Sequence, residues 1–338
     1  MRGAMGGQGF GYTRRRWLRW GGLLGVGLVA GCRPAPETFE VAASPPEAPD
    51  PRPTVALVMK TRTNPFFVAM ERGARRAERE LGVQLLVRTA AQEISIEHQI
   101  ALVYDLIDRR VDAIVIAPGD SQKLVPVLAK ASALGIPVIN IDNRLDPAYA
   151  HRAGLGTVPF ISIDNRAAAE LAVARLLQGL TPPLEAAVIE GIPTAANASA
   201  RTRGALAAFG AVPGVEVVAV ESAHWQIGEA YALIGQLLAR HPGLKALFCG
   251  NDMMALGVIH YLREHAHPGL AIAAFDALPE THGALERGDL WVTVDQRAAD
   301  QGYLGVVAAV DSLAGRPVAA MTLLEVRLVV GRALADHG

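Results

Sequence analysis

The stretch VALVMKTRTNPFFVAMERGARRAERELGVQLLV, residues 55–87, decides the fold. Val55–Val58 is a continuous apolar run of strand length. Phe67, Met70, Ala74, Ala77 and Leu81 then recur at helical spacing on one face, and Leu85–Val87 is a second strand. Unbroken apolar strands separated by amphipathic helices are the pattern of a parallel sheet, whose strands are covered on both faces. The pattern continues with Ile96, Ile100, Val103 and Ile107 striping a helix, then Ala113–Ile116, a helix around Val125–Leu134, and Pro137–Ile141. A second series has strands near Phe160–Ile163, Ala186–Glu190, Val215–Val220, Ala246–Cys249, Ala271–Phe275 and Trp291–Val294. Helical stretches such as Ala167–Leu177 and Ile227–Ala239 separate them. These strands are too many for one comfortable sheet, so the expectation is an α/β chain with two doubly wound lobes of similar size.

Composition agrees and narrows the function. The chain has 338 residues, 51% of them hydrophobic, enough for two packed cores and too apolar for disorder. Its net charge is −1, and no basic stripe for nucleic acid is expected on the folded part. Two distant cysteines, Cys32 and Cys249, exclude a disulfide framework and a multi-cysteine metal site. His260, His265 and His267 lack a carboxylate partner at ligand spacing and read as surface residues, so neither metal nor cofactor is expected.

The first 32 residues read as a targeting segment. Five arginines (Arg2, Arg14, Arg15, Arg16 and Arg19) and no acid precede the apolar, glycine-rich run Trp20–Ala30, which is too short to span a bilayer. The run closes on Val29-Ala30-Gly31-Cys32, which resembles the lipobox of bacterial lipoproteins and makes Cys32 the lipidated residue. Thr13–Arg19 fits either a twin-arginine export signal or an ordinary positively charged leader. Residues 33–53, rich in Pro and Ala, cannot pack and read as a tether. Without the five arginines the net charge of −1 becomes −6, an acidic body outside the cytoplasm, held at the membrane by its lipid in the periplasm or on the outer face.

In doubly wound sheets ligands bind beyond the carboxyl ends of the strands. Polar groups stand at those ends here: Thr63-Asn64 after the first strand, Asp142-Asn143-Arg144 after the fourth, then Asn251-Asp252, Asp276, and Asp295-Gln296. Aromatic residues are only 5% of the chain, yet Phe66 and Phe67 follow an Asn-Pro turn and Trp225 lies in a post-strand loop. Carboxylates, amides and guanidinium groups that bond paired hydroxyls, beside rings that cover an apolar C–H face, suit a sugar.

Asn64–Phe67, Ile139–Asp142, Arg201–Gly204, Cys249–Gly257, Ala274–Asp276 and Thr293–Gln296, taken in this order, resemble the type I periplasmic sugar-binding proteins, the ribose and allose binders in particular. The resemblance covers residues 54 to about 330. It implies two Rossmann-like lobes joined by a three-strand hinge, divided as 54–162 with 297–325 and 163–296 with 326–338. It further implies a monomer that traps a pentose- or hexose-type monosaccharide by hinge closure and delivers it to the transmembrane subunits of an ABC permease. Phe66 and Phe67 would stack one sugar face and Trp225 the other, with Asn64 bonding a hydroxyl and Asp142 taking two. Arg203, before Gly204, matches the family's sugar-binding arginine, with Arg201 its neighbour; Asn251, Asp276 and Gln296 complete the site. Lys60 resembles the allose binder more than the ribose binder, and Asn143 stands where the ribose binder has arginine. Asp164-Asn165 fits the first crossover and a helix cap, Met253 and Met254 helix packing, and Cys249 a buried strand thiol.

By themselves the residues leave other readings open. Phe66 and Phe67 also suit a hydrophobic staple, and Asp142 and Asp276 suit helix caps. The sequence has no Gly-x-Ser-x-Gly and no phosphate loop, which weighs against an enzyme; a glycosidase using Asp142 and Asp276 as its carboxylate pair is the least supported reading. A lipid-anchored sensor for a membrane receptor would keep the same fold and cleft.

Overall fold

The computed structural model describes residues 52–267 and 269–335. The leader, Cys32 and nearly all of the tether lie outside the described residues. The chain begins β1 (Thr54–Met59), α1 (Pro65–Leu81), β2 (Gln84–Thr89), α2 (Ile96–Asp108), β3 (Ala113–Ile116), α3 (Val125–Ala133), β4 (Val138–Ile141), α4 (Pro147–Arg152) and β5 (Phe160–Ile163). It continues α5 (Asn165–Leu177), β6 (Leu184–Glu190), α6 (Ala196–Gly210), β7 (Val215–Ser222), α7 (Ile227–Arg240), β8 (Leu244–Cys249), α8 (Asp252–Glu264) and β9 (Ala271–Ala273). After a single turn of 3-10 helix, Pro279–Thr281, come α9 (His282–Arg287), β10 (Val292–Asp295), α10 (Ala298–Leu313), β11 (Met321–Leu324), β12 (Arg327–Val330) and α11 (Arg332–Ala335).

Two six-stranded sheets result, ordered β11-β5-β4-β3-β1-β2 and β12-β10-β9-β8-β6-β7. All pairs are parallel except β10 with β12. Side chains alternate across each strand, and β1 shows the consequence: Val55, Leu57 and Met59 enter the core under α1 and α10, while Ala56 and Val58 enter the core under α2 and α3. Burial on both faces is why β1 reads as a solid apolar run. In the second sheet Ala187 and Ile189 of β6 face α7 and α8, and Ala186 and Val188 face α5 and α6.

The chain passes between the sheets three times: from β5 into α5, from β10 into α10, and from β11 into β12. β11 and β12 extend beyond the strands expected from apolar runs. Each is a four-residue edge strand, exposed or half-buried throughout, and so carries no hydrophobic signature. The lobes meet directly: Met253 and Leu278 from the second pack against the first lobe's core. Opposite, Ser121 N–H donates to Thr194 O at 3.3 Å, and Ala196 N–H to Ser121 Oγ at 2.9 Å. No helix among the described residues is long and apolar enough to cross a membrane.

Candidate ligand-binding site

Parallel topology brings the strand ends of both sheets to one cleft. From the first lobe, Lys60 follows β1, Asn64 caps α1, Glu93 lies between β2 and α2, and Asp142 follows β4. From the second, Asn197 and Arg201 occupy the first turns of α6, and Trp225, Asn251, Asp276 and Gln296 follow β7, β8, β9 and β10. With Phe66 and Phe67 these residues line one narrow cavity between the lobes. A larger surface hollow between α8, α9 and α11 lies at the opposite ends of the second-lobe strands. There Arg263 and Arg287 are both paired with Asp289.

Local structure fixes the first-lobe groups. Asn64 Oδ1 accepts Phe66 N–H at 3.0 Å as the cap of α1, and its Nδ2 donates to Glu93 Oε1 at 2.9 Å. Phe66 and Phe67 meet edge to face, centroids 5.0 Å apart. Asp142, at φ +61°, sits in the left-handed region that Asp tolerates better than most side chains. Its Oδ2 lies 2.8 Å from Lys60 Nζ without an aligned hydrogen bond, and its Oδ1 accepts from Asn197 Nδ2 at 3.3 Å. Asp142 therefore joins the two lobes through Asn197 and holds its second oxygen against the Lys60 ammonium.

Arg201 organises the second lobe. Nε donates to Asn165 Oδ1 at 2.8 Å, Nη1 to Gly250 O at 2.9 Å and Nη2 to Gln296 Oε1 at 3.0 Å. The guanidinium lies 3.8 Å over the Phe275 ring, and Nη1 is 3.8 Å from Asp276 Oδ1. Gln296 Nε2 in turn donates to Asp276 Oδ1 at 2.6 Å. Asn251 Oδ1 caps α8 through Met254 N–H at 2.9 Å.

Burial dominates the electrostatics. It pushes the Glu93 carboxyl up, and raises Asp276 well above the usual aspartate range against the pull of Arg201. It also lowers Arg201, with Asp276 acting in the opposite direction. Both cations lining the cavity are already engaged, Lys60 with Asp142 and Arg201 with its ring of acceptors, so neither is free to receive an anion, and the remaining groups suit a neutral polyol.

Behind Asp276 lies Asp252, which accepts from Thr293 Oγ1 and Leu278 N–H, each at 2.7 Å. Burial pushes its carboxyl from the usual 3.8 up to about 7. A group that binds its proton more tightly when folded stabilises the fold below its unfolded pKa, and that contribution is lost as pH rises through the folded value. Between pH 4 and about 7 the fold therefore weakens through Asp252 as pH increases. Asp252→Asn is expected to flatten this slope in thermal midpoints measured across that window; an unchanged slope would show that Asp252 is ionised throughout.

Of the residues expected from the sequence, Lys60, Asn64, Phe66, Phe67, Asp142, Trp225, Asn251, Asp276 and Gln296 line the cavity. Two others do not. Arg203 lies on the exposed side of α6 and bonds Ser199 Oγ; Arg201 takes the inward position. Residues two apart on a helix point to nearly opposite sides, and α6 turns inward the face carrying Asn197, Arg201, Gly204 and Ala208. Gly204 fixes that face against α5, since a Cβ there would stand 2.2 Å from Arg166 O. Asn143 is fully buried beneath the cavity, where Oδ1 accepts Asn197 N–H at 3.1 Å and Nδ2 donates to Pro118 O at 3.0 Å. Asp164 caps α5, as expected, whereas Asn165 orients Arg201. Glu93 and Asn197 were not expected. Glu93 follows a strand whose carboxyl end went unread, and helical spacing from Arg201 would have found Asn197.

Residues 55–317 match the family model described as a periplasmic binding protein domain. The chain belongs to this family. Similar members of the periplasmic binding protein family include the D-ribose/D-allose-binding protein of Pseudomonas aeruginosa, 37% identical over 87% of this chain and 91% of its own. The D-allose-binding periplasmic protein of Escherichia coli is 32% identical over 76% of this chain and 83% of its own. An ABC transporter periplasmic solute-binding protein from Actinobacillus succinogenes, solved with bound D-allose, superposes with a TM-score of 0.79 at 29% identity, over 84% of this chain and all of that one. A solute-binding protein from Burkholderia multivorans reaches the same TM-score at 37% identity, over 82% of this chain and 99% of its own. The two doubly wound lobes joined by three passages of chain are the fold of the type I members.

Proposed function

We propose that this chain captures one neutral monosaccharide, a pentose or hexose, between its lobes and delivers it to the transmembrane subunits of an ABC importer without chemical change. The observation that carries the reading is the cavity: both lobes contribute six side chains each, hydrogen-bonding groups converge on it, and aromatic faces border it. Asp142 bonds two hydroxyls, Asn64, Asn251, Asp276, Gln296 and Arg201 bond others, and Phe66, Phe67 and Trp225 cover the C–H faces. Groups from both lobes are satisfied together only when the lobes close, so ligand shifts an open–closed equilibrium that the permease reads. The pairing of strands supports lobes of 54–162 with 297–325 and 163–296 with 326–338. Residues 1–32 direct export, and Cys32 carries the lipid that holds a monomeric binding protein at the outer face of a membrane.

A thermal-shift screen against neutral pentoses, hexoses and inositols, with sugar phosphates and uronic acids alongside, tests the reading. Stabilisation grows as RT ln(1 + [L]/Kd), about 4 kcal/mol at a thousandfold excess over Kd. One neutral monosaccharide is expected to raise the midpoint while its phosphate does not. A folded protein that ignores every neutral sugar would overturn the proposal.

A further inference from the structure

Stacking alone leaves part of Trp225 unexplained. The residue is 4% exposed and lines the cavity, yet its indole Nε1–H is buried and meets no acceptor among the described residues. Buried indole N–H groups ordinarily find a partner, because leaving one unmade forfeits its hydration. The ring is also held by an unusual backbone. His224 and Trp225 are both left-handed, at φ +47° and +68°, a conformation bulky residues rarely adopt. Ser222 Oγ fixes the turn by donating to Gly191 O at 2.6 Å and accepting His224 N–H at 3.2 Å. Gly191 makes the floor under the ring: a Cβ there would lie 2.0 Å from Trp225 Cζ2. A phenylalanine held by the same turn would supply an apolar face as well, so what tryptophan adds at this position is the unpartnered indole N–H.

We infer that Trp225 is a specificity-determining residue, whose Nε1–H donates to one hydroxyl oxygen of the bound monosaccharide and selects sugars that present an acceptor there. The inference rests on the monosaccharide reading above and adds to it a directional contact that distinguishes sugars differing at one carbon. Trp225→Phe keeps an aromatic face and removes the donor.

The test uses the full chain, wild type and Trp225→Phe, titrated calorimetrically with D-ribose, D-allose and the monodeoxy derivatives of each. At least one parent sugar is expected to bind, and Trp225→Phe to weaken it about tenfold, the equivalent of one hydrogen bond. That loss is expected to vanish for the one derivative lacking the partner hydroxyl. In wild type the indole N–H resonance of Trp225 is expected to shift and to gain protection from exchange when the sugar is added, a readout that survives if the variant fails to fold. A loss of equal size for the parent and every derivative overturns the inference and leaves stacking as the role. An indole resonance unmoved at saturation overturns it too. A wild-type protein that binds neither sugar at millimolar concentration overturns the inference for this pair of sugars, whereas the monosaccharide reading falls only if every neutral sugar of the thermal-shift screen fails as well.

Discussion

Replacing Arg201 with alanine is expected to abolish measurable monosaccharide capture and to destabilise the second lobe by about 3–5 kcal/mol, the usual result of removing one partner from a buried charge network. The substitution strands three acceptors at once, on Asn165, Gly250 and Gln296. It also leaves Asp276 without its neighbouring cation. The Phe275 ring loses the guanidinium stacked over it at 3.8 Å. Arg201→Lys restores a charge but not the planar fork, so stability is expected to recover partly and affinity to stay more than about tenfold down. Arg203→Ala is the control: two residues away and exposed, it is expected to change neither quantity. Calorimetric titration with the sugar found by screening, paired with urea denaturation, separates lost contacts from lost fold. Equal effects at Arg201 and Arg203 would mean that α6 presents a different face to the cleft.

The contrast between these two arginines shows what the sequence makes legible. The α/β class follows from residues 55–87, because strands buried on both faces must be apolar throughout and the helices covering them must carry a stripe. Asn64, Asp142, Asn251, Asp276 and Gln296 were legible because each immediately follows a strand or caps a helix, where position along the chain fixes position in space. Inside a helix that rule gives way to angular position, and the weakly amphipathic α6, with alanines on every side, hides its inward face until α5 is packed against it. Asn143 shows the opposite limit. Its amide has local duties, holding Pro118 O and meeting Asn197 N–H across the lobes, that adjacency to Asp142 cannot distinguish from ligand contact. The edge strands β11 and β12 were invisible for a third reason, since half-exposed four-residue strands bury too little to leave a pattern.

Asp142→Ala is expected to weaken capture by about 2–4 kcal/mol, roughly thirty- to a thousandfold, by deleting an acceptor for two hydroxyls and leaving their donors unpaired in a closed cavity. The same change costs stability by a separate route. Lys60 Nζ, 2.8 Å away with its side chain 3% exposed, loses its nearest counter-charge and keeps only the attraction of Glu93; breaking a buried pair in this way costs about 3–5 kcal/mol. The left-handed backbone at φ +61° adds to the cost, because alanine tolerates it less well than Asp or Asn. Asp142→Asn removes that backbone penalty while still breaking the ion pair with Lys60, and so is expected to fold better than the alanine variant yet bind almost as poorly. Combining Lys60→Met with Asp142→Asn removes both charges. If the ion pair exists to hold an acceptor in the cleft, the double variant recovers stability in urea denaturation without recovering affinity, since a buried pair is replaceable by apolar packing but a hydroxyl acceptor is not. Recovery of affinity along with stability would instead assign the pair to the fold and move the ligand's acceptor to Glu93 or Asp276, the other carboxyls facing the cavity.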